Sequence, residues 1–345
     1  MSPMIWSTLL STISTSTIIT MSSHHWLLAW LGLELNTLSI LPIITKPHHP
    51  RATEAATKYF LIQATAAGLI LFSGTMNAWQ TGQWLMVHQL SPIPAAALTV
   101  AIMLKLGVAP THAWLPEVLQ GSTMSTALII STWQKLAPLT FLYLTLHHLP
   151  TTTLLYIGLL SAILGGLMGL NQTQTRKIMA FSSIAHMGWL MATLSTNLNT
   201  TTLMLTTYLL LTSTVFLILI TTTAKSIIDL GTSWSHSPTL QTMTLITMMS
   251  MGGMPPLTGF MPKLMVLKEL ISLNLVTIGT ALILASLPSL FFYTRMMYLT
   301  TLTSPPNTTN NSHQWRLKTT APHPMPLLMA MSTTLLIITP LLISF

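Results

Sequence analysis

Four ionisable side chains stand in stretches that otherwise exclude charge: Glu34 in "WLLAWLGLELNTLSILPII", Lys105 in "MLKLGVAPTHAWLPE", Lys135 in "ALIISTWQKLAPLTFLYL" and Lys263 closing "MSMGGMPPLTGFMPK". A carboxylate and amines in such surroundings are suited to moving protons. Burial disfavours a charged lysine and a neighbouring carboxylate favours it, so Glu34 moving toward or away from Lys105 would load or unload a proton. Lys135 and Lys263 would pass it on, with water chains and hydroxyls filling the longer gaps. His112, in "PTHAW", and His186, in "SSIAHMGWL", are further candidates because imidazole titrates near neutrality. Two plainer alternatives stand beside these readings. A long lysine stem can carry its ammonium to an interface, and a histidine can simply bond backbone in a packed bundle. The first is hard for Lys135, which has about a dozen residues on either side, and harder for the short side chain of Glu34.

The elements that must hold these residues follow from composition. Only 5% of the 345 residues are charged and the mean hydropathy is +0.65, whereas a soluble domain carries about 25% charged residues. Apolar runs of about 18 to 25 residues recur along the chain, each long enough to cross a hydrocarbon core as a helix. They predict eleven helices, at about 4–21, 26–44, 57–77, 92–120, 122–146, 152–170, 177–195, 200–222, 239–267, 272–296 and 324–344. Threonine and serine are frequent in them, but their hydroxyls can bond back to the helix's own carbonyls. The first run has no basic flank or small-residue cleavage site and reads as a span, not a secretory or transit peptide. The chain has no cysteine, which excludes disulfides, thiolate metal sites and iron–sulfur clusters held by it.

Charge placement tests this arrangement, since basic residues in short loops prefer the side from which a protein inserts. Loops after even-numbered helices carry Lys46 and Arg51, Arg176 and Lys177, Lys225, and Arg316 and Lys318. Loops after odd-numbered helices carry none until Lys268. The N-terminus is therefore expected on the inner, positive side and the C-terminus on the other. The net charge of +8 reports this topology, and a nucleic-acid partner is not expected. The pairs His24–His25, His48–His49 and His147–His148 fall in loops, and adjacent residues do not share a helix face, so no metal site is expected from them.

Gly107 and Pro110 interrupt the fourth helix, and "MGGMPP" interrupts the ninth, five helices later. A break frees backbone groups at membrane depth, which is tolerable only where they are buried in protein or line a wet cavity. Two such breaks at corresponding positions predict an internal repeat with an ion site at its middle. The expected fold is an all-α polytopic membrane protein. Residues 1–150 and 151–298 would form two inverted five-helix repeats, and 299–345 a loop and a C-terminal transmembrane helix.

"HWLLAWLGLELN", "PRATEAATKYFLIQATAAGLIL", "MLKLGVAPTHAWLPEVLQG", "TWQKLAPL", "GGLMGLNQTQTRKIMAFSSIAHMGW" and "MGGMPPLTGFMPK" together resemble the antiporter-like subunit 2 family of mitochondrial NADH:ubiquinone oxidoreductase, respiratory complex I. The resemblance runs from about residue 22 to residue 270 and is loose in the C-terminal quarter. It implies a membrane-arm subunit in the mitochondrial inner membrane, with the positive side facing the matrix, other membrane-arm subunits and lipids as partners, and broken-helix repeats. By motif, Glu34 matches the family's conducting-pair glutamate, Lys105 its lysine partner, Lys135 the central lysine and Lys263 the lysine of the second broken helix. NADH, flavin, iron–sulfur clusters and quinone would belong to other chains, leaving no cofactor here. Longer bacterial members have three more N-terminal helices; this chain is similar to the shortened eleven-helix form. Two other functions remain open at this stage: a free-standing cation/proton antiporter, and a purely structural assembly subunit whose buried charges are relics.

Overall fold

With no water at membrane depth to bond the backbone, a long apolar run must satisfy its own N–H and C=O groups, and a helix does so within one segment. The computed structural model describes residues 2–86, 90–231, 238–302 and 324–344, and these are helical nearly throughout. The basic residues Arg316 and Lys318 lie outside the described residues. Among the described residues, six helices are long and apolar enough to cross a membrane: α1 (Pro3–Ser22), α2 (Trp26–Thr45), α3 (Pro50–Thr81), α8 (Thr151–Gly169), α10 (Leu198–Thr222) and α14 (Val276–Leu302). The chain divides into two compact units, Met1–Thr153 and Leu154–Phe345.

In the first unit α1 packs on α2, α2 on α3, and α3 on both α4 (Pro92–Leu106) and α5 (Trp114–Gly121). Starts are set by a side-chain cap followed by proline, whose missing N–H is harmless in the first turn. Ser2 caps α1 ahead of Pro3, and His49 caps α3 ahead of Pro50, its Nδ1 accepting the Arg51 N–H at 3.1 Å. His25 caps α2 in the same way, accepting the Leu27 N–H at 3.2 Å. Two of the loop histidines thus have a structural task. α3 begins before the expected 57–77 because its first turns carry Arg51 and Glu54, which an apolar-run criterion discards. Lys58 pairs with Glu54 at 2.6 Å and with Glu117 of α5 at 2.7 Å. Both pairs are half-exposed, so Glu117→Ala is expected to change stability by no more than about 1 kcal/mol, measurable as a small shift in thermal unfolding.

The expected helix 122–146 is not continuous. α6 (Met124–Ser131) gives way to a 3₁₀ turn, Trp133–Lys135, before α7 (Leu136–Thr145) begins. Pro138 is the reason: it offers no N–H to the Gln134 carbonyl and its ring crowds that carbonyl, so the backbone tightens one turn earlier. Lys135 is therefore carried on an irregular turn, not on a regular helix face.

In the second unit α8 is followed by α9 (Thr175–Leu194), α10, the short α11 (Ile227–Gly231), α12 (Pro238–Gly252), α13 (Phe260–Ser272), α14 and α15 (Met325–Ser344). α9 is buried at every position from Ile178 to Leu194, as a central helix must be. It approaches α8 closely enough that a Cβ on Gly158 would lie 2.8 Å from the Gly188 carbonyl, and one on Gly188 2.6 Å from the Ala162 N. Small residues let helices meet this closely where apolar surroundings supply no hydrophobic drive. Gly188→Leu is expected to force α8 from α9 and sharply lower the amount of assembled protein on native gels. Gly68→Ala, at a glycine with open space around it, should leave that amount unchanged. Serine and threonine hydroxyls bond back along the helices, as in Ser16 to Ile13 O at 2.8 Å and Ser183 to Ala180 O at 2.8 Å.

Candidate functional site

The first site is built on the end of α4. Gly107, with φ 68°, takes the left-handed conformation that stops the helix; its N–H donates to Leu104 O at 3.3 Å and the Val108 N–H donates to Met103 O at 3.1 Å. These two bonds form a Schellman cap. Trp114 Nε1 donates to Leu104 O at 3.1 Å and Gln63 Nε2 to Lys105 O at 3.5 Å, so the carbonyls freed by the break are taken up by side chains. Lys105 sits in the last turn of α4, 6% exposed, at the negative end of the helix dipole. His112 lies within the break, buried, with its ring against the Pro110 carbonyl.

Lys105 Nζ is buried and makes no hydrogen bond. Glu34, on α2, is half-buried with Oε2 enclosed and likewise without a partner. The carboxylate is near enough for its field to act on Lys105, but no direct ion pair joins them. Two charges so placed are expected to pair directly or through water, and the direct ion pair is absent among the described residues.

Lys105 and Lys135 line one cavity about the size of a single water, together with Asn36, Tyr59, Gln63 and Gln134. Lys135 is 3% exposed. Glu34 is not in that lining, although Asn36 and Thr37 of the same helix are. The four neutral polar residues did not stand out in the sequence; the available signals were the placing of Tyr59 and Gln63 one turn apart and of Gln134 beside Lys135.

The second site repeats the cap. Gly253, with φ 83°, ends α12; its N–H donates to Ser250 O at 3.0 Å and the Met254 N–H donates to Met249 O at 3.3 Å. Lys263, in the first turns of α13 and buried, donates from Nζ to Gly252 O at 3.0 Å and lies 5.8 Å from the centre of the Trp189 ring. His186 joins it in a second water-sized cavity with Trp189, Ser289 and Tyr293, its ring 5.7 Å from that of Tyr208. A Cβ on Gly253 would stand 2.8 Å from Lys263 Nζ. Gly253→Ala is therefore expected both to strain the left-handed turn, by about 1 kcal/mol, and to push the ammonium off the Gly252 carbonyl. Proton translocation by the assembled protein should fall while Gly68→Ala leaves it intact.

Two lysines beside helix breaks, each at a small polar cavity, can bind and release protons where bulk water does not reach. The family described as "NADH:quinone oxidoreductase/Mrp antiporter, TM" matches residues 23–288, and "NADH dehydrogenase subunit 2 C-terminus" matches 290–343. The C-terminal quarter, loose by motif, is thus matched as well. The chain is 49% identical over 318 residues to NADH-ubiquinone oxidoreductase chain 2 of Latimeria chalumnae, covering 92% of this chain and 91% of that one. It is 49% identical over 328 residues to the Gallus gallus protein of the same name, covering 95% of each. Among solved structures, a chain of respiratory complex I from Thermus thermophilus with bound Aureothin superposes with a TM-score of 0.82 at 25% identity, covering 96% of this chain and 78% of that one. The fold, the two broken helices and these matches agree, and the chain belongs to the NADH dehydrogenase subunit 2 family of antiporter-like membrane proteins.

Proposed function

We propose that this chain is a proton-translocating membrane-arm subunit of NADH:ubiquinone oxidoreductase, driven by redox chemistry carried out in other subunits. The observation that carries the reading is the pair Lys105 and Lys135 lining one buried cavity beside a helix break. Glu34 sets the charge state of Lys105, Lys135 takes the proton on, and Lys263 with His186 forms the corresponding station of the second unit. His112 serves at the first break. The architecture proposed for this use is eleven membrane crossings arranged as two five-helix repeats, each with its fourth helix broken, and a last helix; the breaks at Gly107 and Gly253 support it, and the 3₁₀ turn at Lys135 adds a third irregularity. The partners are other membrane-arm subunits and lipid, and the redox groups sit in those partners, with no cofactor on this chain.

The test is the number of protons moved per NADH oxidised by the assembled complex in sealed vesicles. Lys105→Met is expected to lower that ratio; an unchanged ratio would count against the reading. The localisation proposed is the mitochondrial inner membrane, N-terminus in the matrix and C-terminus on the intermembrane-space side. A protease site placed at Arg176–Lys177 should be cut only from the matrix, and cutting from the other side overturns the topology. The antiporter half of the family description favours a second reading, a free-standing cation/proton antiporter. It would migrate as a small, active species on a native gel, whereas a subunit migrates with a very large assembly.

A further inference from the structure

Lys135 is carried by a three-residue turn, and the rotation of that turn decides where its ammonium goes. The neighbouring side chain is held at both ends. Gln134 Nε2 donates to Asn36 Oδ1 at 2.9 Å, and Gln134 Oε1 accepts from Tyr59 Oη at 3.4 Å. Asn36 lies two residues beyond Glu34 on α2, and Tyr59 lies one turn before Gln63, which holds the Lys105 carbonyl. All three are buried and all line the cavity shared by Lys105 and Lys135. A carboxamide does not titrate, so neither Gln134 nor Asn36 carries a proton in the relay. Burying such groups is unfavourable unless they are bonded, and once bonded they select a single arrangement of the elements they join.

We propose that Gln134 is the positioning residue for Lys135: the clamp from Asn36 and Tyr59 fixes the Trp133–Lys135 turn and ties it to the helix that bears Glu34. A displacement of α2 then reaches Lys135 through a hydrogen bond, without contact between Glu34 and Lys135. The inference rests on the reading of Lys135 as a proton carrier. Among the described residues, the titratable or charged groups that line the cavity with Lys135 are Lys105 of α4 and Tyr59 of α3, with Glu34 of α2 acting on both; Tyr143 of α7 is not in that lining.

The experiment measures protons moved per NADH oxidised, as a function of pH, by the assembled complex in sealed vesicles. Gln134→Leu and Asn36→Leu are each expected to move the pH midpoint of pumping by about one unit, because Lys135 takes up a different setting among its charged neighbours. The two together should do no more than Gln134→Leu alone, since that variant already removes the contact with Asn36. The swap of Asn36→Gln with Gln134→Asn preserves the amide pair and should restore the midpoint. Tyr59→Phe keeps the ring and its edge-on contact with Trp114, loses only the longer bond, and should give a smaller shift in the same direction. If the leucine variants fail to assemble, Tyr59→Phe decides the matter, and an unmoved midpoint there overturns the proposal. So does a loss of amplitude at an unchanged midpoint, or additive shifts from the two leucine variants. Lys135→Met separates the two layers. Full pumping in that variant removes the proton-carrier reading; lost pumping there with an unmoved midpoint in Gln134→Leu removes the positioning role alone.

Discussion

With Lys135 replaced by Met, the complex is expected to assemble and to translocate protons poorly. Met keeps much of the side-chain volume in a site that is almost wholly enclosed, so packing is retained while the titrating amine is gone. The proton step through this chain should slow by about 10²-fold or more, the range lost when a positioned acid–base group is removed. Lys135→Arg should impair it as well, because a guanidinium stays protonated and cannot hand its proton on. The deficit should grow under load. At a membrane potential of about 100 mV each charge moved across the membrane costs about 2.3 kcal/mol, so a relay that resets slowly stalls first when the potential is high. The measurement is the proton-to-NADH ratio in sealed vesicles with and without an imposed potential. A Met or Arg variant that assembles and keeps its full ratio under load makes Lys135 structural.

Glu34→Gln carries the second large effect. It removes the carboxylate whose field acts on Lys105 and leaves a buried ammonium with neither hydrogen bond nor counter-charge. A lysine so placed no longer has two settings to alternate between, and pumping should fall by about tenfold to a hundredfold. Because the two residues act as a unit, Glu34→Gln combined with Lys105→Met should be no worse than Lys105→Met alone. The same vesicle assay reads both. Losses that multiply would separate Glu34 from Lys105 and leave the proposed switch without its first half.

The parts of this site legible in the sequence were those that violate the rules of an apolar span. Charges inside long apolar runs stand out because each is costly there, and Gly107, Pro110, Gly253 and Pro255 stand out because each denies the helix a residue or a bond it needs. The cap geometry follows directly from the glycines. Less legible were features set by tertiary packing. The extra turns of α3 are amphiphilic and shorten under any apolar-run criterion. Pro138 lies inside the run expected as one helix, 122–146, and only the crowding of the Gln134 carbonyl shows why the helix tightens at Lys135. Asn36, Tyr59, Gln63 and Gln134 read in sequence like any other polar residues of a threonine-rich chain. What marks them is that they meet, and meeting depends on the packing of α2, α3 and the 3₁₀ turn.

The two breaks share a cap but differ in what their last carbonyl faces. The Lys105 carbonyl is held by a neutral amide, from Gln63, while the Gly252 carbonyl is held by the Lys263 ammonium itself. A lysine that gives up its proton still has N–H donors, so the Gly252 carbonyl need never go unbonded at membrane depth. The bond does weaken, since a charge-assisted hydrogen bond is about twice as strong as a neutral one. The end of α12 is therefore held more tightly when Lys263 is charged than when it is not, whereas the Lys105 carbonyl keeps its bond from Gln63 in either state of Lys105. On the proposed relay, one break would register the passage of a proton in its backbone, and the other would be held by a group that carries none.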